Sequence, residues 1–248
     1  MRITVAHLYP DRLNIYADRG NMAVLRGRGM ARGIDVIEFA VDRGDPLPTS
    51  TQLVYVGGGQ DRDQAFVASD LAARGGCLAD LVAGGVPVLA VCGGYQLLGR
   101  SYRGRDGEEL FGAGVFPLET HAGEGRLIGD VLLECTLPSA APFQVAGFEN
   151  HVGRTVLDDD AVPLGRVLHG FGNNGEDAQE GCRLNNAIGT YLHGPLLPRN
   201  PSLADWILER AAEAGGSSVE AFTPLPDDLE RNAFTIASER AAQRGGRS

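Results

Sequence analysis

The sequence predicts an α/β fold in which a central, mostly parallel sheet is flanked by helices and followed by a β-rich second half. Three observations carry this. Residues 2–41 pass through strand, helix and strand patterns in turn, which is how a parallel sheet begins. Residues 53–56 and 88–91 are short and wholly apolar, as strands covered on both faces are. The stretch from Pro87 to Gly99 runs from such a strand through Cys92, Gly93 and Gly94 into an amphipathic segment, a strand, nucleophile, helix turn.

In chain order, residues 2–8 alternate into a strand that Tyr9, Pro10 and Asp11 break. Residues 22–31 carry a helical pattern ended by Gly33, and 34–41 form the second strand. After a loop at 46–51, strand 53–56 runs into Gly57, Gly58, Gly59, Gln60 and Asp61. Three glycines after a strand signal a close backbone approach. The loop is a poor phosphate cradle, because GxGxxG spacing is missing and Asp61 with Asp63 would repel the anion. It is read instead as turning N–H groups toward Cys92, half of an oxyanion hole whose other half is the N–H of Gly93. Residues 62–84 read as helix, broken at Gly75 and Gly76.

Gly93 and Gly94 let the backbone reverse sharply, and Cys92 then stands at the positive end of a helix, where dipole and free N–H groups favour thiolate over thiol. Beyond Gly99 the texture turns to short β segments at 112–115, 118–121, 127–135, 144–151, 165–168 and 187–192. They are expected to extend the first sheet, since no linker of Pro, Ser or charge intervenes. Asn200 as cap and Pro201 in the first turn open a helix, and 227–244 reads as a second, more polar one.

Composition narrows the chemistry. With 248 residues, 43% hydrophobic, the chain is long enough for a substantial core. The formal charge of −10 argues against a nucleic-acid partner held through phosphates. No run approaches the ~20 apolar residues of a membrane span, and the first residues read as a strand rather than a signal peptide, so a cytoplasmic location is expected. The four cysteines, Cys77, Cys92, Cys135 and Cys182, show no CxxC spacing and so indicate neither zinc nor a disulfide framework. All 22 basic residues are arginine. Without lysine there is no P-loop lysine and no Schiff-base lysine, so any ATP used in the reaction is expected on another chain.

A catalytic cysteine needs a base, and the histidines are His7, His121, His151, His169 and His193. His193 follows a short β segment and precedes Gly194 and Pro195, so its ring should project from a strand end, where α/β proteins build sites. His7 lies inside the first strand and His169 among glycines. His151 is the rival base.

Together, the turn at 90–96, the glycine loop at 57–61 and the ending Gly189-Thr-Tyr-Leu-His-Gly-Pro195 resemble the class I glutamine amidotransferases, and the His-Gly ending resembles their cobyric acid synthase branch. Within that branch, Leu8-Tyr-Pro10, residues 16–21, Gly57 to Asp61, Gly125-Arg-Leu-Ile-Gly129 and Gly147-Phe-Glu-Asn-His-Val-Gly-Arg-Thr155 are similar to the GatD-type glutaminase subunits of lipid II isoglutaminyl synthases. The resemblance implies a flavodoxin-like amidotransferase domain over residues 1–213, with 214–248 as a helical extension. It implies hydrolysis of glutamine to glutamate and ammonia, with Cys92 as nucleophile, His193 as base and acid, the N–H groups of Gly58 and Gly93 as oxyanion hole, and Arg126 on the substrate.

Most triad-type relatives carry a glutamate two residues after the histidine, where this chain has Pro195. His193 then works as a dyad with Cys92, or is oriented by a carboxylate elsewhere, Asp18 or Glu149. The resemblance also implies a MurT-like, ATP-dependent Mur-ligase partner that holds ATP and magnesium and amidates the D-glutamate of the lipid II stem peptide, with no cofactor on this chain. Two other readings stand beside it: a cobyrinic or cobyric acid amidotransferase, and a binding or regulatory subunit that kept the fold without the chemistry.

Overall fold

A computed structural model describes residues 1–15, 18–217 and 222–245. Of the motif at 16–21, residues 16 and 17 lie outside the described ones. The chain opens with β1 (Arg2–Leu8), α1 (Arg19–Met30), β2 (Asp35–Val41) and β3 (Leu53–Val56), then α2 (Asp61–Ala73), α3 (Gly75–Ala83), β4 (Val88–Val91) and α4 (Gly93–Leu98). The first sheet has the order β2, β1, β3, β4, joined at the far side by β12 (Ala187–Thr190) and β11 (Cys182–Leu184). Every pair is parallel except β11 with β12. All residues of β3, β4 and β12 are buried, which explains why they read as unbroken apolar runs.

The crossover from β1 to β2 and the crossover from β3 to β4 leave the sheet centre in opposite directions. Right-handed connections therefore put α1 on one face and α2 with α3 on the other. The point of reversal lies between β1 and β3, and the crevice beyond the strand ends there is where such sheets take ligands. Strands β3, β4 and β12 are neighbours in register, Val56 beside Ala90 and Val91 beside Thr190. The glycine loop, Cys92 and the segment leading to His193 therefore leave the sheet side by side.

The second half departs from the expected sheet extension. Only β11 and β12 join the first sheet. The rest forms a second sheet of β5 (Ser101–Arg103), β6 (Glu109–Phe111), β7 (Leu118–Cys135), β8 (Phe143–Leu157), β9 (Gly165–His169) and β10 (Gln179–Glu180). The two segments expected at 118–121 and 127–135 are one long strand, β7, paired with β8 and irregular between Ala122 and Leu127. That irregularity looks like a strand break in sequence, but a bulge bends the strand and re-aims side chains without ending it. Residues 112–115 are not a strand: the amides of Ala113 and Val115 donate to the Leu97 and Leu98 carbonyls, satisfying the C-terminal end of α4.

One buried core runs through both sheets, from Ile3 and Leu53 to Val131, Leu133 and Val145, and on into α5 (Pro201–Ala214) through Leu203 and Ile207. The last helix, α6 (Asp228–Gly245), lies on β7, β8 and β9, with Ala237 and Ala241 clustered against Leu132 and Ala146. Arg28 of α1 ties this end to the body by donating to Asp205 at 2.6 and 2.7 Å and to Asp227 at 2.6 Å. Among the described residues no helix is long and apolar enough to cross a membrane.

Candidate active site

Cys92 follows the last residue of β4 with φ +47° and ψ −104°, a conformation that residues with a Cβ rarely adopt. The surrounding structure holds it there. Its amide donates to the Thr190 carbonyl at 2.8 Å, and the turn is pressed so tightly on β3 that a Cβ on Gly94 would come within 2.7 Å of the Val56 carbonyl oxygen. This is the strained strand-to-helix elbow the sequence suggested, and it presents the sulfur to a cavity of about 500 Å³.

His193 leaves the end of β12 fully buried, its amide donating to the Phe148 carbonyl at 2.7 Å. The imidazole lies within reach of Cys92, so residues far apart in sequence meet through the parallel pairing of β4 and β12. Behind it stands Asp18, also fully buried, with Oδ1 3.7 Å from His193 Nδ1. Burial alone would lower the imidazole pKa. The negative charges of Cys92 and Asp18 beside it outweigh that cost and push the pKa up to about 10. The site thus favours an imidazolium beside the sulfur.

Asp18 corrects one expectation. Gly58, expected in the oxyanion hole, donates its N–H to Asp18 Oδ2 at 2.7 Å. Its lack of a side chain makes room for the base rather than for substrate, since a Cβ there would meet His193 Cε1 at 2.9 Å and Asp18 Oδ2 at 3.1 Å. Of the three loop glycines, the one that lines the cavity is Gly59, whose amide nitrogen lies 2.9 Å from where a Cβ on Gly93 would sit.

The other candidate carboxylate, Glu149, is turned away from His193. It accepts the amides of Phe171 at 2.7 Å and Gly172 at 2.9 Å and faces His151 Nε2 at 3.6 Å. His151 lines the cavity, but its Nδ1–H donates to the Gly153 carbonyl at 2.8 Å and its ring stacks on Tyr191 with centroids 3.6 Å apart. Both nitrogens are directed at the protein, so the rival base is a wall. His7 is buried within β1, where desolvation lowers its pKa to about 4.

Arg126 sits in the bulged part of β7 on the cavity rim. Its Nε donates to Asn150 Oδ1 at 2.7 Å and its Nη2 to the Asn150 carbonyl at 2.9 Å, which fixes the guanidinium and leaves Nη1 out of that clamp. Gln96, buried one turn into α4, also lines the cavity and donates from Nε2 to the Tyr191 hydroxyl at 3.1 Å. Asn150, Gln96, Gly59 and Tyr191 were not singled out from the sequence. All four stood inside motifs that were recognised, but a motif does not say which of its members shape the cavity.

Glu180 carried no signal at all, because it lies in a polar, glycine-rich stretch that reads as a solvated loop. The fold buries it completely beneath β12, where it accepts from Tyr191 N–H at 2.7 Å and Thr190 Oγ1 at 3.0 Å. Burial, opposed by these bonds and aided by Glu149, raises its pKa to about 8. A carboxyl whose folded pKa lies above its unfolded value of about 4.5 favours the folded state at low pH, and that contribution is lost as pH rises through about 8. Glu180→Gln is therefore expected to flatten the fall in melting temperature between pH 5 and pH 8, gaining on the parent protein at the alkaline end. An unchanged pH dependence would show that Glu180 does not titrate in this window.

A family model for the CobB/CobQ-like glutamine amidotransferase domain matches residues 4–201. The chain belongs to that family. Among these amidotransferases it is 37% identical over 246 residues to the GatD subunit of the glutamine-hydrolyzing lipid II isoglutaminyl synthase of Staphylococcus aureus, covering 99% of this chain and 97% of that protein. It is 38% identical over 205 residues to the same subunit from Streptococcus pneumoniae, covering 82% of this chain and 78% of that protein. The glutaminase domain of Trypanosoma brucei CTPS shares the fold, with a TM-score of 0.56 at 11% identity over 89% of this chain and 96% of that one. The amidotransferase is thus a mixed α/β protein with a parallel sheet at its centre, as the sequence predicted, and α6 lies beyond the part that the family model matches.

Proposed function

We propose that this amidotransferase is the glutamine-hydrolysing subunit of a lipid II isoglutaminyl synthase. The observation that carries the reading is the meeting of Cys92 and His193 at the ends of adjacent parallel strands, in a chain similar over its whole length to a GatD subunit. The substrate carboxylate docks on Arg126, and the cysteine sulfur attacks the side-chain amide carbon of glutamine. The resulting oxyanion is held by the N–H groups of Gly93 and Gly59, donors of a kind each worth about 10²–10³ in rate. His193 gives its proton to the departing nitrogen, and ammonia leaves a thioester on Cys92. Water, deprotonated by His193, then adds to the thioester carbonyl, and glutamate is released with the thiolate restored. Asp18 orients the imidazole and stabilises its charged form.

Ammonia goes to a MurT-like Mur-ligase partner, where ATP and magnesium activate the D-glutamate carboxyl of the stem peptide. A chain with no lysine fits this division of labour. The reading is tested by recovering the chain with its partners from native cells and supplying the recovered complex with ATP, glutamine and lipid II. Recovery of a Mur-ligase-like protein and conversion of stem-peptide D-glutamate to D-isoglutamine are expected. Glutamine hydrolysis with no ligase recovered and no amidation would overturn the assignment.

Arg126→Lys is expected to raise KM for glutamine roughly 10-fold or more with a smaller effect on kcat, since an ammonium cannot keep both bonds to Asn150 and still reach the substrate. Steady-state kinetics check this. A fall in kcat at constant KM would place Arg126 outside substrate binding.

A further inference from the structure

Gly57 to Asp61 was singled out as a motif, and its last residue has no part in the mechanism above. Asp61 is the first residue of α2 and lines the cavity that Cys92 opens into. Two guanidinium groups, Arg62 and Arg126, also line it, and among the described residues Asp61 is the one carboxylate that does. The Asp61 side chain makes no hydrogen bond or ion pair among the described residues, in contrast to that of Asp63 two positions on, which faces Arg12 at 3.5 Å. Its charge is nevertheless felt at the reaction cavity. Tyr102, nearly buried on the cavity wall, has its hydroxyl held above its ordinary pKa by burial first and then by the negative charges of Asp61 and Cys92, while Arg105 and Arg126 act in the opposite sense.

A free amino acid enters such a cavity as a zwitterion. Its carboxylate has guanidinium partners to choose from, whereas its ammonium group has one anionic partner on the wall. We infer that Asp61 binds the α-ammonium group of the substrate glutamine and so restricts the site to the free amino acid. The inference rests on the glutaminase reading above. It explains why an acidic residue stands at the mouth of a cavity that must also take a carboxylate, a placement that would cost affinity if the substrate carried negative charge alone. Asp61 is itself exposed at the edge of the cavity, so an analogue without the ammonium forfeits one charge-assisted contact there rather than stranding a buried charge.

The test compares L-glutamine with its des-amino analogue, 4-carbamoylbutanoate, as substrates for the parent chain, Asp61→Asn and Asp61→Ala, each assembled with its ligase partner. The parent is expected to prefer glutamine by roughly 10- to 100-fold in kcat/KM, the range of one charge-assisted hydrogen bond. Both variants are expected to lose that preference through the rate on glutamine, with the rate on the analogue unchanged. A preference that survives in both variants would overturn the inference while leaving the glutaminase reading in place. So would an equal loss on both substrates, which would mark Asp61 as a structural residue of α2. If the parent hydrolyses neither substrate, the glutaminase reading falls and takes this inference with it.

Discussion

Replacing Cys92 by alanine is expected to lower glutamine hydrolysis by about 10⁴-fold or more, because in the proposed mechanism the change removes the atom that forms the covalent intermediate, and among the described residues Cys92 is the one thiol lining the cavity. The fold should survive. Cys92 is small, and its unusual backbone is held by the hydrogen bond from its N–H to the Thr190 carbonyl and by the close packing of Gly94 on β3, neither of which involves the sulfur. Release of glutamate, followed over time, measures the loss, and a melting temperature within a few degrees of the parent's separates it from unfolding. A second consequence is specific to this site. With the negative charge at residue 92 gone, the pKa of His193 should fall from about 10, because the charge that opposes desolvation has been removed. Titration of the imidazole by NMR in the variant reads this shift.

Asp18→Asn is the other change with a large expected effect, a fall in kcat of about 10²–10⁴ with a smaller change in KM. The amide oxygen of asparagine can still accept the N–H of Gly58, so the loop keeps its shape, but the charge that favours imidazolium is lost. The alkaline limb of the pH–rate profile marks deprotonation of His193, and it should move to lower pH in the variant. A purely structural role for Asp18 would lower activity at every pH without moving that limb. The same reasoning makes Gly58→Ala a severe change, since the new methyl would occupy space held by the His193 ring and the Asp18 carboxylate.

Much of this was legible in the chain because local chemistry and fold agree there. The wholly buried strands β3 and β4 could only read as apolar runs, and Cys92 followed by two glycines could only serve a sharp turn. The order of strands could not be read. Nothing in residues 187–190 says that they lie beside β4, yet that pairing is what delivers His193 to Cys92.

The misreadings have physical causes as well. A bulge in β7 looks like a break, because the residues inside it have lost the alternation that marks a strand. Residues 112–115 look like a strand because Ala113 and Val115 alternate with glycine in a short apolar run, although the amides of Ala113 and Val115 are spent on the end of α4. Gly58 and Gly59 are indistinguishable as letters, and only the position of Asp18 decides which amide is taken. Glu180 was unreadable for the opposite reason: a carboxylate in a polar stretch gives no sign that β12 will cover it.

The proposed mechanism centres on Cys92 as a nucleophile activated by His193, a histidine from a distant part of the chain. The most direct measurement is reaction with a glutamine-like diazo-ketone, followed by mass spectrometry of the digested protein. One equivalent of label on the peptide carrying Cys92, slowed by L-glutamine and abolished in His193→Ala, is the result expected. Complete inactivation with Cys92 unlabelled, or labelling at an undiminished rate without His193, would contradict it.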